Sequence, residues 1–256
     1  MNAAMKLQDR TAVITGAGSG FGEGIAKVFA AEGARIVVCD VNEEGGRRVV
    51  REIEAAGGKA IFQKADVSKD ADVAALAGAA VKQFGGIDIW VNNAGITHRA
   101  APVDTIDEAT FDRIYAVNVK SLYLSARHVV PLFRKAGKGV FLNIASTAGV
   151  RPRPNLVWYN GTKGAVITIT KAMAVELAPQ QIRVNAINPV AGETPLLAEF
   201  MGGKDTPEMR AKFVATIPMG RLSRPDDIAK AALFLVSDDA SMVTGVCMEV
   251  DGGRCI

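Results

Sequence analysis

The chain has 256 residues, of which 49% are apolar and 22% are charged, an ordinary composition for a globular protein. Lysine and arginine exceed aspartate and glutamate by 30 to 27, so the net charge of +3 gives no electrostatic argument for nucleic-acid binding. No apolar run reaches the roughly 18 residues that a membrane-spanning helix needs, so we expect no membrane partner.

The cysteine content and the chain ends favour a cytoplasmic protein. Cys39, Cys247 and Cys255 lack metal-ligand spacing and are expected to stay reduced, and no metal site is predicted. The Met1–Arg10 segment has mixed charge and no hydrophobic stretch, so we do not expect a signal peptide. Because no linker or repeat is visible, residues 1–256 are predicted to form a single domain.

The first motif is a buried strand, Thr11–Thr15, followed by the glycine-rich loop Gly16–Gly22 and a helix from about Glu23 to Glu32. Glycines let a backbone turn tightly and approach a ligand, and a helix N-terminus offers free N–H groups and a positive dipole end. This order of elements suits a pyrophosphate, with a simple flexible turn as the alternative.

A carboxylate ends the second predicted strand, Arg35–Asp40. At that position it can accept hydrogen bonds from an adenine ribose and repel a 2′-phosphate, which favours NAD over NADP. Two alternatives stay open. Asp40 could instead cap the helix that starts near Asn42, and Arg10 or Arg47 could fold in to receive NADP(H).

Helices and strands then alternate regularly: helix 43–56, strand 59–65, helix 71–84 and strand 87–91. The alternation predicts a doubly wound, Rossmann-like parallel sheet with helices on both faces. Asp66, Val67 and Asn92–Gly95 follow strands, at the carboxyl ends where ligands of such sheets bind. Asp66 could bond an adenine amino group or, as readily, cap a helix.

Polar residues mark the second half of the chain. A long helix is predicted over Glu108–Pro131, and it places Asn118 in an apolar setting where a structural role is the alternative. Ser146 follows the predicted strand Gly139–Ile144 and therefore lies where active-site groups gather. A plain turn hydroxyl is the alternative for Ser146.

Tyr159 and Lys163 are four residues apart in a helical segment and therefore share one face. We expect the ammonium to favour the phenolate and lower the tyrosine pKa, which would make Tyr159 a general acid or base. A half-buried tyrosine beside a solvated lysine is the alternative.

Over nearly its full length, the chain resembles the short-chain dehydrogenase/reductase (SDR) family. Thr15–Gly22 matches the family's Thr-Gly-x-x-x-Gly-x-Gly loop and Asn92–Gly95 its Asn-Asn-Ala-Gly motif. The resemblance implies a seven-stranded sheet and a catalytic tetrad of Asn118, Ser146, Tyr159 and Lys163. It also implies the cofactor-binding set Gly16, Ser19, Gly20, Phe21, Gly22, Asp40, Asp66, Val67, Asn93, Ala94, Gly95, Tyr159, Lys163, Pro189 and Thr194.

The resemblance implies a role for each tetrad member. Tyr159 would exchange the proton of the substrate oxygen, and Ser146 would orient that oxygen. Lys163 would hold the nicotinamide ribose, and Asn118 would support a water that links Lys163 to solvent. Hydride would pass between the nicotinamide and the substrate carbon.

The region after the sixth predicted strand, Ile182–Ile187, departs from the family pattern. Val190 stands where the family usually has glycine, which puts the local backbone path in doubt, although Pro189 and Thr194 are kept. Residues 190–218 are predicted to form a substrate lid. The resemblance implies that the final elements, predicted at 226–236 and 245–250, pack across a twofold interface in a homotetramer or homodimer.

The sequence therefore predicts an NAD-dependent oxidoreductase that interconverts a secondary alcohol and its ketone. Arg151 and Arg153 lie near the expected pocket and could receive an anion, with solvated loop arginines as the alternative. His98 and Arg99, which follow the Asn92–Gly95 motif, could likewise contact an anion. The expected substrate is a small polar or anionic hydroxy compound. The alternatives are a 3-oxoacyl-thioester reductase that uses NADP(H) and a non-catalytic NAD-binding sensor.

Overall fold

The computed structural model of the protein describes residues 5–256, so the first four residues of the amino-terminal segment lie outside it. The strands are β1 (Thr11–Thr15), β2 (Arg35–Asp40), β3 (Lys59–Lys64), β4 (Ile89–Asn92), β5 (Gly139–Ile144), β6 (Ile182–Pro189) and β7 (Cys247–Val250). The α-helices are α1 (Gly20–Ala31), α2 (Glu43–Ala55), α3 (Asp70–Phe84), α4 (Glu108–Tyr115), α5 (Ser121–Ala136), α6 (Val157–Leu177), α7 (Leu197–Phe200), α8 (Pro207–Val214) and α9 (Pro225–Val236).

All strand pairs are parallel, and the strand order is β3-β2-β1-β4-β5-β6-β7. The chain moves outward from β1 in one direction to β3 and then crosses back to β4 on the other side of β1. At such a switch point the loops that leave neighbouring strands diverge and open a crevice at the carboxyl edge of the sheet. The predicted seven-stranded Rossmann-like fold is confirmed.

Side chains that alternate along the central strands bury both faces of the sheet. Ile14 and Val38 pack under α1, α2 and α9, whereas Val13 and Val37 pack under α3, α5 and α6. Burial on both sides explains why these strands are continuous apolar runs without polar alternation. Within residues 5–256, no helix combines the length and apolar character needed to cross a bilayer.

The helix predicted over 108–131 is wrong in two respects. A π-helical turn, Ala116–Lys120, interrupts it between α4 and α5, and Pro131 lies inside α5 instead of ending it. Packing outweighs the lost hydrogen bond of the proline, because Val129, Val130 and Phe133 are buried around it. The helix ends at Gly137, whose φ of 74° is left-handed.

Several predicted boundaries also shift. The first helix begins at Gly20 instead of about residue 23, because Gly20, whose φ is +58°, ends the loop and the first helical turn follows it directly. Strand β4 begins at Ile89 and β7 at Cys247, both two residues later than predicted, and β6 extends to Pro189. Because α1 begins earlier, the N–H groups of its N-terminus lie directly beside the glycine loop.

Candidate active site

The glycines around the junction of β1 and α1 lie where a side chain would have little room. Gly16 and Gly20 have φ values of +63° and +58°, which glycine adopts at little cost. A Cβ on Gly22 would lie 2.2 Å from the carbonyl oxygen of Gly16, so that residue must be glycine. Gly22 is buried beneath the loop and does not line the cleft, and its cofactor contact stays a prediction.

Asp40 lies at the end of β2 with both oxygens turned toward backbone N–H groups. Oδ2 accepts from the backbone N–H of Gly18 at 2.9 Å, and Oδ1 accepts from that of Asn42 at 2.9 Å. Asn42 itself caps α2, because its side chain accepts from the backbone N–H of Gly45 at 3.1 Å. Asp40 is therefore not the helix cap, and each carboxylate oxygen keeps a free lone pair at the edge of the cleft.

The two arginines considered for NADP(H) are occupied by carboxylates. Arg10 pairs with Asp238 at 2.5 Å, and Arg47 pairs with Glu43 at 2.9 Å. Neither lines the cleft, so the negative charge of Asp40 faces it without an opposing cation from either residue.

Asn93 ties the two cofactor loops together. Its Nδ2 donates to the carbonyl oxygens of Thr15 at 2.8 Å and Gly16 at 3.0 Å. The Thr15 hydroxyl in turn accepts from the backbone N–H groups of Asn93 and Ala94, each at 3.0 Å. Thr15 was missed as a site residue, although its place directly before the glycine loop is the signal that marks it.

Asp66 does not cap a helix, since Lys69 is the N-cap of α3. Its carboxylate accepts from Ser68, from the backbone N–H at 3.0 Å and from the hydroxyl at 2.7 Å. Burial opposes ionisation, but these bonds lower the pKa of Asp66. Arg113 also lines the cleft here, and no sequence signal predicted it.

One continuous cleft runs from Asp40 and Asp66 to Tyr159. Apart from Gly22, every predicted cofactor residue lines it: Gly16, Ser19, Gly20, Phe21, Asp40, Asp66, Val67, Asn93, Ala94, Gly95, Tyr159, Lys163, Pro189 and Thr194. Further lining residues fall in the predicted lid segment 190–218: Ala191, Gly192, Pro195, Leu196 and Phe200. Lining residues that the sequence did not indicate are Val41, Ala65, Ile96, Arg113, Val117, Ile144 and Ala145. These side chains come from elements far apart in the chain, which is why local patterns did not mark them.

Tyr159, Ser146 and Lys163 meet at one end of the cleft. Tyr159 and Lys163 project from the first turns of α6, and both are buried. Lys163 Nζ donates to the carbonyl oxygen of Ile144 at 2.8 Å and lies 5.9 Å from the Tyr159 ring centroid. The Ser146 hydroxyl accepts from the backbone N–H of Ala148 at 3.0 Å, which fixes its position after β5.

The expected lowering of the tyrosine pKa by Lys163 is wrong, because burial of the phenol is the larger effect. Burial raises the pKa of Tyr159 to about 12, although a hydrogen bond with Ser146 and the charge of Arg153 oppose the rise. Burial also lowers the pKa of Lys163 to about 8, because the buried ammonium has lost water. Desolvation of both groups therefore outweighs their proximity.

Asn118 lies in the π-helical turn and is satisfied by protein groups. Its Nδ2 donates to the carbonyl oxygen of Ile96 at 2.8 Å and to the Thr162 hydroxyl at 3.0 Å, while Oδ1 accepts from the Ile96 N–H at 2.9 Å. A Cβ on Gly95 would lie 3.4 Å from both Asn118 Oδ1 and Lys163 Nζ. Asn118 thus holds the loop after β4 against α6, close to Lys163 but outside the cleft lining.

Val190 fits the position where the family usually has glycine. Its φ is not left-handed, so no glycine is required there. The side chain is buried against Leu197, Met201 and Ile217, which anchors the segment after β6 to the lid helices. The Ser223 hydroxyl donates to its carbonyl oxygen at 3.2 Å, which further sets the backbone path.

Arg151 and Arg153, the two arginines predicted near the pocket, lie in different environments. Arg151 is exposed, and its Nη1 donates to the carbonyl oxygen of Arg254 at 2.7 Å. Arg153 is partly buried, and its guanidinium carbon lies 4.5 Å from the centroid of the Phe213 ring on α8. His98 is buried, with Nδ1 bonded to the carbonyl oxygen of Arg99.

Known proteins resemble this chain over nearly its whole length. A protein-family model described as "Enoyl-(Acyl carrier protein) reductase" matches residues 16–254. The 4-formylbenzenesulfonate dehydrogenase of Comamonas testosteroni is 54% identical, covering 98% of this chain and 100% of that protein. The chain belongs to the short-chain dehydrogenase/reductase family. It is therefore an oxidoreductase, as the sequence predicts.

Two further relatives show the range of this family. The cis-4-hydroxycyclohexanecarboxylate dehydrogenase of Sinomonas cyclohexanicum is 38% identical, with 96% of each chain covered. A crystal structure described as 3-ketoacyl-(acyl-carrier-protein) reductase from Brucella melitensis, complexed with NADH, is 53% identical. It superposes with a TM-score of 0.92 and covers 98% of this chain and 100% of its own.

Proposed function

We propose that this SDR is an NAD-dependent dehydrogenase that interconverts a secondary alcohol and its ketone. The observation that carries the proposal is the single cleft with Asp40 at one end and Ser146, Tyr159 and Lys163 at the other. The glycine loop and the N-terminus of α1 lie between these ends and suit a pyrophosphate. The residues present therefore fit a dinucleotide along the length of the cleft.

Each side chain at the Tyr159 end has a distinct role in the proposal. NAD, when bound, supplies the hydride acceptor. Tyr159 accepts the hydroxyl proton as the alcohol becomes a carbonyl, and it donates the proton in the reverse direction. Ser146 orients the substrate oxygen, and Lys163 holds the nicotinamide ribose. Asn118 positions the water that connects Lys163 to solvent.

NAD is favoured over NADP for an electrostatic reason. A 2′-phosphate carries more than one negative charge and would meet the Asp40 carboxylate at the edge of the cleft. The Brucella melitensis relative was solved with NADH, which supports the same choice. Titration with both cofactors tests this point, and tighter binding of NADP(H) would contradict it.

The proposed substrate is a small polar or anionic hydroxy compound. One relative's name contains a sulfonate and another's a carboxylate, and both describe ring compounds. A test panel therefore pairs charged and neutral ring alcohols with NAD, and the aldehyde 4-formylbenzenesulfonate is tested separately with NADH, whose consumption would report its reduction to an alcohol. NADH formation is followed at 340 nm.

Tyr159→Phe separates catalysis from simple NAD sensing. Loss of the acid–base group should lower turnover by roughly 10²- to 10⁴-fold. NAD affinity should stay close to that of the wild type, because the aromatic ring and the buried position are kept. Equal turnover by wild type and variant on every active substrate would exclude Tyr159 as the proton-exchanging group.

A second candidate, reduction of a 3-oxoacyl thioester, is supported by the name of the 53% identical crystal structure. Because that relative binds NADH, thioester reduction need not require NADP(H). Acetoacetyl-coenzyme A with NADH is the direct assay. Turnover on it that exceeds turnover on every ring alcohol would favour the thioester reductase.

Assembly and location complete the proposal. We propose a homotetramer or homodimer, which light scattering can measure. Met242, near the start of β7, is 97% exposed and Val175 on α6 is 80% exposed, as apolar contact residues would be before assembly. The cytoplasmic location expected from the three free cysteines stays a prediction.

A further inference from the structure

Gly18, in the middle of the glycine loop, is held at both of its backbone groups. Its N–H donates to Asp40 Oδ2 at 2.9 Å, and its carbonyl oxygen accepts from Arg48 Nη2 of α2 at 3.1 Å. Asp40 lines the cleft, whereas Gly18 and Arg48 do not. The connection from Arg48 to the cleft therefore runs through Gly18 and Asp40.

The guanidinium of Arg48 is fixed in orientation by carboxylates. Glu23 of α1 accepts from Nη1 at 3.0 Å and from Nη2 at 2.6 Å, and Glu52 accepts from Nη1 at 2.8 Å. Lys27 Nζ lies 2.5 Å from a carboxylate oxygen of each glutamate, so the four charges alternate and balance. A forked pairing of this kind sets the plane of a guanidinium as well as its place. Nη2 is therefore held where it can donate to the Gly18 carbonyl oxygen.

The start of α2 has glycines that let the loop approach closely. Gly45 and Gly46 are the third and fourth residues of α2, although glycine within a helix costs stability relative to alanine. A Cβ on Gly45 would lie 2.9 Å from the Gly18 carbonyl oxygen, and a Cβ on Gly18 would lie 2.9 Å from Asp40 Oδ2. The φ of Gly45 is not left-handed, so glycine is needed there for room and not for backbone conformation.

Both oxygens of the Asp40 carboxylate accept from backbone N–H groups, Oδ2 from Gly18 and Oδ1 from Asn42 at 2.9 Å. The carboxylate cannot turn while both bonds persist, and an acceptor that is already oriented pays less ordering cost when a ligand binds. We propose that Arg48 and Gly45 are positioning residues, which act through Gly18 to hold Asp40 in the orientation that receives the adenine ribose of NAD. This inference rests on the proposed function, in which Asp40 accepts from that ribose.

The test compares two cofactors that differ by one hydroxyl. NAD and its analogue that lacks the 2′-hydroxyl of the adenosine are titrated calorimetrically into the protein, and the ratio of the two Kd values reports the contact between Asp40 and the ribose. The wild type should bind NAD more tightly by roughly 10- to 100-fold, as for a hydrogen bond to a charged group.

Arg48→Met removes the donor to the Gly18 carbonyl oxygen, and Gly45→Ala displaces that oxygen. Each should reduce the preference for NAD over the analogue by roughly 3- to 10-fold, because the Asp40 carboxylate is then free to turn. The KM for NAD should rise in both variants while kcat at saturating NAD stays within about twofold, since binding energy is lost at the end of the cleft away from the reacting groups. Arg48→Lys keeps the charge but not the fork, so its preference should lie between those of the wild type and Arg48→Met.

Three variants serve as controls and should keep the wild-type preference. Arg51→Met removes the same charge from an exposed position on α2. Gly78→Ala makes the same exchange in α3, where nothing lies within 4 Å of the new Cβ. Glu52→Gln removes one ion pair of Arg48 but leaves its contacts with Glu23 and Gly18. A general loosening of the fold would weaken both cofactors alike and leave the ratio of Kd values unchanged.

The outcomes separate this inference from the proposed function. Full wild-type preference in both Arg48→Met and Gly45→Ala would overturn the positioning roles and leave the NAD-dependent dehydrogenase standing. A loss in Arg51→Met as large as that in Arg48→Met would show a diffuse effect of charge and would also overturn them. Absence of NAD binding by the wild type would overturn the proposed function itself.

Discussion

The rings of Tyr159 and Phe200 meet edge to face, with centroids 5.2 Å apart and planes inclined by 64°. Phe200 ends α7, the first lid helix, and Glu199 beside it pairs with Arg99 at 3.2 Å. Tyr159 also packs with Ala148 in the same buried cluster. The lid therefore contributes directly to the desolvation that raises the pKa of the phenol.

Phe200→Ala should expose the phenol and lower the pKa of Tyr159 from about 12 toward its ordinary value. Alcohol oxidation needs the phenolate, so kcat/KM should rise with pH as Tyr159 loses its proton. In the variant this rise should occur at a pH lower by roughly one unit. The measurement is kcat/KM for alcohol oxidation against pH. Phe234→Ala on α9, a phenylalanine that is 38% exposed, is the control and should leave the profile in place. Superimposable profiles for wild type and Phe200→Ala would contradict the burial argument.

Lys163→Met should change how stability depends on pH. The pKa of Lys163 is about 8 in the folded chain against 10.5 ordinarily, so between these values the unfolded chain binds more protons and folding becomes more favourable as pH rises. Methionine cannot titrate. The free energy of unfolding of the wild type should therefore gain about 2 kcal/mol relative to the variant between pH 7 and 9.5. Urea unfolding at fixed protein concentration measures this free energy at each pH. If it varied with pH in the same way for the wild type and for Lys163→Met, the prediction would be wrong.

Gly22→Ala should displace the glycine loop. The new Cβ would lie 2.2 Å from the Gly16 carbonyl oxygen and 2.4 Å from Asn93 Nδ2, so the loop must move. We expect a loss of about 1–3 kcal/mol in the free energy of unfolding and weaker NAD binding. The control is Gly78→Ala in α3, where nothing lies within 4 Å; it should be neutral or stabilise by about 0.5–1 kcal/mol. Unchanged NAD affinity in Gly22→Ala would contradict the proposed use of this loop.

Asp227→Asn should weaken the start of α9. Asp227 pairs with Arg221 at 2.6 Å and accepts from the backbone N–H of Arg224 at 2.8 Å. The hydrogen bond from Arg221 is the largest of the effects that lower the pKa of Asp227 to about 2. A lowered carboxylate pKa means stability that is present above pH 3.8 and is lost as pH falls toward 2. We expect a cost of about 0.5–1 kcal/mol at pH 7.

The control for that variant is Asp226→Asn. Asp226 is 60% exposed, and its one ion-pair partner within residues 5–256 is Lys230 one turn later, so its loss should cost about 0.3–0.5 kcal/mol. Thermal or urea unfolding at pH 7 and pH 3 compares the two. If Asp226→Asn were the more damaging substitution, the capping role of Asp227 would be wrong.

Much of the site could be predicted because its parts follow strands. Asp40, Asn93 and Ser146 each come directly after a buried apolar run, and in a parallel sheet those run ends share one edge. Tyr159 and Lys163 were linked by helical spacing alone. Gly22 packs beneath the glycine loop, whereas Gly16 and Gly20 line the cleft, and these two positions look alike in sequence.

The sequence by itself determined the alternation of strands and helices, the parallel sheet and the positions of the motif residues, because each depends on local periodicity and on neighbours in the chain. Only the tertiary structure decided the rest. Pro131, itself exposed, remains inside a helix because its neighbours Val130 and Phe133 are buried in the core, and Tyr159 has a raised pKa because burial removes water from the phenol. Arg151 reaches the carbonyl oxygen of Arg254 because the turn after β7 lies beside the loop that precedes α6. Burial and long-range contacts set these features, and they depend on residues that no local pattern connects.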